Sequence, residues 1–209
     1  PTVSPTPTQH PYYGIGRIAF IARNSFGFAI YAINSDGTNL QQLSKSLPDE
    51  AFPQTLSWSP DGKYIAFDAR VPYESELELM EILVLEVATG ETTQLTHRRG
   101  WDHSPEFSPD GTKIVYAAEV TTNQSEIFVM DSDGSNVQQL SHLPSDNSMS
   151  ASWSPDGKQI AFASDYNGNF DIYVMDANGE NPRQLTLDRA RDLAPSWLPS
   201  GRSIRFASN

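Results

Sequence analysis

Trp153-Ser154-Pro155-Asp156-Gly157, followed by Gln159-Ile160-Ala161-Phe162, is the stretch that decides the fold. Its opening recurs as Trp58-Ser59-Pro60-Asp61-Gly62 and as Phe107-Ser108-Pro109-Asp110-Gly111, and in worn form as Trp197-Leu198-Pro199-Ser200-Gly201. The four aromatics stand 49, 46 and 44 residues apart. A period of this size marks a repeat architecture with one supersecondary unit per repeat. Within each turn Pro presets φ, Asp caps the turn and Gly accepts the left-handed conformation.

Outward from the turn, each repeat carries the same short runs. The strand ending at the aromatic is labelled a. An apolar strand b follows: Tyr64-Ile65-Ala66-Phe67, Lys113-Ile114-Val115-Tyr116, Gln159-Ile160-Ala161-Phe162 and Ser203-Ile204-Arg205-Phe206. A fifth b run, Arg17-Ile18-Ala19-Phe20, has no such turn before it. Strand c covers 28–33, 81–87, 126–130 and 171–175, and a glycine turn leads to strand d at 41–43, 93–95, 138–140 and 183–185. Alternating β-branched and aromatic residues suit half-buried strands. Residues 74–86 admit a helical reading, but their place in the repeat is that of strand c, which makes 71–78 a b–c insertion. Four antiparallel strands at this period predict an all-β fold, a β-propeller of four-stranded blades.

The motifs resemble the TolB-type β-propeller repeat, a bacterial WD-like family. The last full repeat carries the likeness most completely, in Pro155-Asp156-Gly157, Ile160-Ala161-Phe162, Asp171-Ile172-Tyr173-Val174-Met175-Asp176 and Gln184-Leu185-Thr186. The likeness covers roughly residues 15 to 207 and is specific for fold. It says little about function, because the family includes binding modules, receptor ectodomains and enzyme accessory domains.

The repeat count gives four complete repeats plus one unmatched C-terminal strand b. The resemblance implies domains that begin at b and end at a, so that the last a strand completes the first blade. Three arrangements stay open. The chain is part of a longer propeller, it closes as four blades, or its surplus strand pairs with another molecule. In the last case Ile204, Arg205 and Phe206 at one end, and Ile18 and Phe20 at the other, are the exchanging residues. Unpaired edge strands are templates for such addition.

With 14 Lys and Arg against 26 Asp and Glu, the formal charge is −12. That sign opposes nucleic acid and anionic membrane binding. No cysteine is present, which removes disulfides, thiolate metal sites and cysteine nucleophiles. No apolar run approaches the ~20 residues that span a bilayer. No initiator Met or signal peptide is seen, so the chain reads as processed or excised. Residues 1–14 are read as a Pro/Thr-rich leader or stalk and 15–209 as the propeller domain. A stalk of this composition is an extended spacer, and with the resemblance it favours an extracytoplasmic protein in the periplasm, at the cell surface or secreted.

Strand direction sorts the loops onto two faces. The a–b and c–d turns share one, and the variable d–a and b–c loops share the other, where function is expected. On that second face, Arg98, Arg99, Trp101 and His103 form an unusual basic and aromatic loop with His97, and Tyr73, Glu74 and Glu76 belong to the acidic insertion. These are the candidate partner-binding residues. In the resembled family an Asp often stands five residues before the Trp at the channel mouth, a place that Asp102 and Asp192 hold here, with Asp146 near a third. Converging carboxylates can hold Ca²⁺, and Asp165, Asn167, Asn169 and Asp171 space their oxygens like the start of a calcium loop. The same residues also serve as turn caps, and no cofactor is required. Two functional accounts follow. One is a non-catalytic protein-binding or scaffold propeller, associating with itself or with another surface or periplasmic protein. The other is a lyase-like enzyme acting on anionic carbohydrate through the 97–103 loop. No Gly-x-Ser-x-Gly elbow, phosphate loop or His-Glu-x-x-His motif is present.

Overall fold

A computed structural model describes residues 16–47, 51–72, 78–98, 100–122, 124–142 and 147–209. The described residues form seventeen strands and no α-helix. Blade I holds β1 (Arg17–Asn24), β2 (Gly27–Asn34) and β3 (Gln41–Gln42). Blade II holds β4 (Leu56–Trp58), β5 (Tyr64–Pro72), β6 (Glu78–Glu86) and β7 (Thr92–Gln94). Blade III holds β8 (Asp102–Phe107), β9 (Lys113–Thr121), β10 (Gln124–Asp131) and β11 (Gln138–Gln139). Blade IV holds β12 (Ser148–Trp153), β13 (Gln159–Ser164), β14 (Asp171–Asp176) and β15 (Arg183–Gln184), and β16 (Asp192–Trp197) with β17 (Ile204–Ser208) begins blade V. Blades II, III and IV are four-stranded antiparallel sheets in chain order, blade I has three strands and blade V two.

Each a–b turn is built as its residues dictate. Gly62 N–H donates to Ser59 O at 2.9 Å and the Ser59 hydroxyl donates to Asp61 at 2.7 Å. The equivalents in the next two repeats are Gly111 to Ser108 and Gly157 to Ser154. The glycines take φ of 72°, 73° and 71°, a region open to Gly. The serine hydroxyls hold the Asp61, Asp110 and Asp156 carboxyls below the usual carboxylate range.

Core packing lies between blades, and the period-2 alternation of strand b divides it. Ile65 and Phe67 face back to Ile30, Ala32 and Leu43 of blade I. Ala66, between them, faces forward to Ile114, Tyr116 and Met130 of blade III. Val115 and Ala117 repeat the forward contact against Ile160, Phe162 and Met175 of blade IV. Each fully buried Ile or Phe contributes about 1.5–3 kcal/mol, so the blades are held chiefly by their neighbours.

Three details refine the sequence reading. At the two ends of the 71–78 insertion the b–c strands run on, Val71 pairing with Leu79 and Pro72 with Glu78. Strands β8, β12 and β16 each carry a bulge, between His103 and Glu106, Met149 and Ser152, and Leu193 and Ser196. Its signature is a positive φ at Ser104, Ser150 and Ala194, which nothing in those residue types announces. The last b strand, β17, pairs with β16 within the chain, Trp197 opposite Ile204 and Ser196 opposite Arg205. Strand β16 therefore does not complete blade I, and β1 and β16 share no sheet.

Candidate binding surfaces

The inner strands surround a cavity of about 460 Å³ whose lining includes Ser57, Trp58, Glu106, Ser152, Trp197 and Arg205. Ser57, Glu106, Ser152 and Ser196 hold one repeat position, immediately before the aromatic. Their side chains tie blades together. Ser57 Oγ accepts the Phe107 N–H at 3.0 Å, and Glu106 Oε1 accepts the Trp153 N–H at 2.8 Å and the Ser152 hydroxyl at 3.3 Å. Burial pushes the Glu106 carboxyl up to about 7, against the lowering by the Trp153 N–H and the Ser152 hydroxyl. The cavity thus presents hydroxyls, a carboxyl that exchanges its proton near neutrality, and the Arg205 guanidinium. That set suits hydrogen bonding to a polar segment.

A second recurring site lies at the blade junctions. Ser44, Thr96, Ser141 and Thr186 accept the backbone N–H of Ile30, Ile82, Ile127 and Ile172 at 2.8–2.9 Å. Thr96, Ser141 and Thr186 also donate to the buried carboxylates of Glu81, Glu126 and Asp171. Acid and hydroxyl are 15 residues apart each time, a spacing visible in the sequence but not used in reading it. Asp102, Ser148 and Asp192 occupy equivalent places on the following inner strands, each with 0% exposure. Among the described residues the oxygens of Asp102 and Asp192 meet no donor at hydrogen-bonding geometry. Burial pushes Glu81 up to about 7, with the Thr96 hydroxyl and Arg98 lowering it and Asp102 raising it. Burial likewise pushes Asp102 up to about 6, against the nearby Thr96 hydroxyl and Arg98.

These carboxylates do not converge. Asp102 stands against Glu81 at the junction of blades II and III, and Asp192 beside Phe170, whose carbonyl accepts its N–H at 2.8 Å. Among the described residues no three His, Cys, Asp or Glu stand where they could share an ion. In the 165–171 loop, Asp165 accepts the Asn147 N–H at 2.7 Å and Asp171 accepts Gln184 and Thr186. The Asn167 amide donates to Tyr173 and Gln184, and the Asn169 amide to the Ala190 carbonyl. Asp146 lies outside the described residues.

The 97–103 loop is split between two directions. Arg98 turns inward, its guanidinium 4.6 Å from the Phe128 ring centre. Trp101 stays 47% exposed. His97 is exposed, while His103 Nδ1 lies 3.1 Å from Ser104 Oγ and burial holds its pKa below the usual value. Arg99, Tyr73, Glu74 and Glu76 lie outside the described residues. On the edge strands, Ile18 of β1 is 56% exposed and Phe20 stacks on Tyr31 of β2, while Phe206 of β17 is 42% exposed. Ile204 and Arg205 pair with β16, and no further strand flanks β17 among the described residues.

Comparison with known proteins agrees with this geometry. A family described as the TolB beta propeller domain matches residues 8–209. The chain is 32% identical over 155 residues to "Tol-Pal system protein TolB" of Francisella tularensis subsp. mediasiatica (strain FSC147), covering 73% of this chain and 34% of that protein. It therefore spans about a third of the length of the curated relative. The crystal structure of TolB from Acinetobacter baumannii superposes with a TM-score of 0.73 at 25% identity, over 91% of this chain and 46% of that one. An oligogalacturonate lyase in complex with manganese superposes at 0.57 with 15% identity, over 89% and 66% of the two chains, a likeness of fold alone.

Proposed function

Because the chain belongs to the TolB β-propeller family, we propose that it is a non-catalytic module that works outside the cytoplasm by binding protein partners, copies of itself among them. The name of its curated relatives, Tol-Pal system protein, supports a role among proteins. The Pro/Thr composition of residues 1–11 supports a spacer suited to an exported protein. The observation that supports the self-association is a pair of edge strands. Among the described residues β1 and β17 each have a neighbour on one side only. Their outward N–H and C=O groups are donors and acceptors for an added strand.

Ligands of this module meet the exposed Trp101 on the d–a and b–c face or the polar axial cavity. Size-exclusion chromatography with light scattering tests the self-association. The expected result is a mass of two or more chains at tens of micromolar protein, decreasing on dilution as mass action requires. A mass of one chain at every concentration would overturn it.

A further inference from the structure

We infer that the groove between blades II and III, on the face of the a–b and c–d turns, binds a protein segment that presents an arginine beside an apolar side chain. This goes beyond the function proposed above, which places ligands on the opposite face or in the axial cavity. Both blades that form the groove are complete four-stranded sheets.

The groove is a cavity of about 500 Å³, a size usual for ligand sites. Val84 and Leu95 of blade II and Phe107 of blade III give it an apolar floor, with Pro60 and Tyr64 beside them. Two tight turns wall it, each packed on the neighbouring blade. A Cβ on Gly111 would lie 3.3 Å from Pro60 Cδ, and one on Gly134 would lie 3.2 Å from the Leu95 carbonyl oxygen. A groove already held in shape costs a ligand little ordering. Comparison of the repeats shows what is peculiar to this junction. Phe107 stands where Trp58, Trp153 and Trp197 stand in the other repeats, and has the smaller ring. At the next junction Trp153 and Leu140, the equivalent of Leu95, line separate cavities of about 460 and 150 Å³. Here Phe107 and Leu95 share one.

Charge selects the occupant. The exposed Asp61, Asp110 and Asp133 line the groove, and among the described residues no Lys or Arg does. The hydroxyls of Ser59, Ser108 and Ser135 hold the three carboxyls below the usual range, so all are ionised at neutral pH. Each turn engages Oδ1 of its Asp. Asp61 Oδ2 also meets Lys63 Nζ at 3.1 Å, an exposed pair. Among the described residues no Lys or Arg bridges Asp110 or Asp133. The next junction is different. Its lining holds Lys113, which pairs with Asp131 at 2.8 Å, where this groove has Tyr64, and Asn178 where this groove has Asp133. The negative charge that the chain offsets for itself at one junction is thus left for a ligand at the other. Tyr64 is 39% exposed. A guanidinium takes a carboxylate in bidentate fashion and stacks on an aromatic face, so Asp110, Asp133 and Tyr64 suit an arginine, while an apolar neighbour reaches the floor.

The probe is the blocked peptide acetyl-Leu-Arg-Leu-amide, titrated into the isotope-labelled chain and followed by backbone amide NMR shifts. Saturable shifts at Leu95, Gly111 and Asp133 are expected at millimolar peptide, and none when Glu replaces the arginine. Asp133→Asn and Tyr64→Lys copy Asn178 and Lys113 of the neighbouring repeats, so both are compatible with the fold. Asp133→Asn is expected to weaken binding about 2–5-fold, the worth of an exposed ion pair. Tyr64→Lys is expected to weaken it further, since it brings a cation into the groove. Absence of saturable shifts at the groove, equal binding of the Arg and Glu peptides, or binding unchanged in both variants would overturn the inference. Phenethylammonium binding as tightly as the peptide would show a site for small organic cations and overturn the peptide reading. Light-scattering masses report self-association separately, so failure here leaves that proposal standing.

Discussion

The Glu106 carboxylate accepts the Trp153 backbone N–H at 2.8 Å, across the boundary between blades III and IV. The shorter Ser57 side chain makes the same bond to Phe107 between blades II and III. One repeat position thus supplies the inter-blade acceptor, and the chain fills it with two chemistries. Glu106→Leu is expected to strand the Trp153 N–H and cost about 1–3 kcal/mol. Glu106→Ser should cost less, since Ser57 shows that a hydroxyl can accept at this position. Urea unfolding of the two variants checks the ranking, and equal losses would reject the role given to this bond.

Stability is expected to fall as pH rises from about 4 to 8. Glu81 and Glu106 are pushed up to about 7 and Asp102 to about 6, chiefly by burial. A carboxyl raised on folding binds more protons in the native state, so its contribution is complete below the unfolded pKa near 4 and is lost as pH passes the folded value. His103, lowered by burial, acts in the opposite sense and loses stability as pH falls through about 6.5. The turn carboxyls of Asp61, Asp110 and Asp156, lowered by serine hydroxyls, lose theirs only below about pH 4. Three raised carboxyls against one histidine set the sign between these limits. Thermal midpoints across the range should decline towards pH 8, with a shallower slope in Glu81→Gln. A midpoint that rises from pH 5 to 8 contradicts the assignment.

The strand order was legible because each repeat states it in residues whose backbone preferences are strong. Pro155, Asp156 and Gly157 define a turn by themselves, and Ile160-Ala161-Phe162 defines a strand. The blade junctions were less legible. Glu81, Thr96 and Asp102 look like solvated surface residues, and only folding brings them together in a buried cluster. The bulge at Ser104 is invisible for a similar reason, since serine has no special preference for φ near 56°. The pairing of β17 with β16 was hidden because β1 and β17 carry the same Ile-x-Phe signature. Periodicity finds strands and cannot tell which of two equivalent strands holds the slot.

Calcium is expected to leave the thermal midpoint unchanged. The oxygens of Asp165 and Asp171 already accept protein donors, and Asp102 and Asp192 serve different junctions. An ion bound only by the folded state raises its stability by mass action. Differential scanning fluorimetry with millimolar calcium and with chelator makes the comparison. An upward shift with calcium that Asp192→Ser abolishes would place an ion at the last junction.

The turn glycines separate backbone strain from contact between blades. Gly62 and Gly111 share nearly the same φ, 72° and 73°. A Cβ on Gly62 would meet nothing within 4 Å, whereas one on Gly111 would lie 3.3 Å from Pro60 Cδ of the preceding turn. Gly62→Ala should therefore cost the left-handed penalty alone, roughly 1 kcal/mol. Gly111→Ala should cost that and the displacement of Pro60 as well, because packed interiors resist even one added methyl group. Urea midpoints of the two variants should differ in that order. Equal losses would mean that the stacked turns of blades II and III yield freely, and that the blade interface is held by Ala66, Ile114 and Tyr116 without help from the turns.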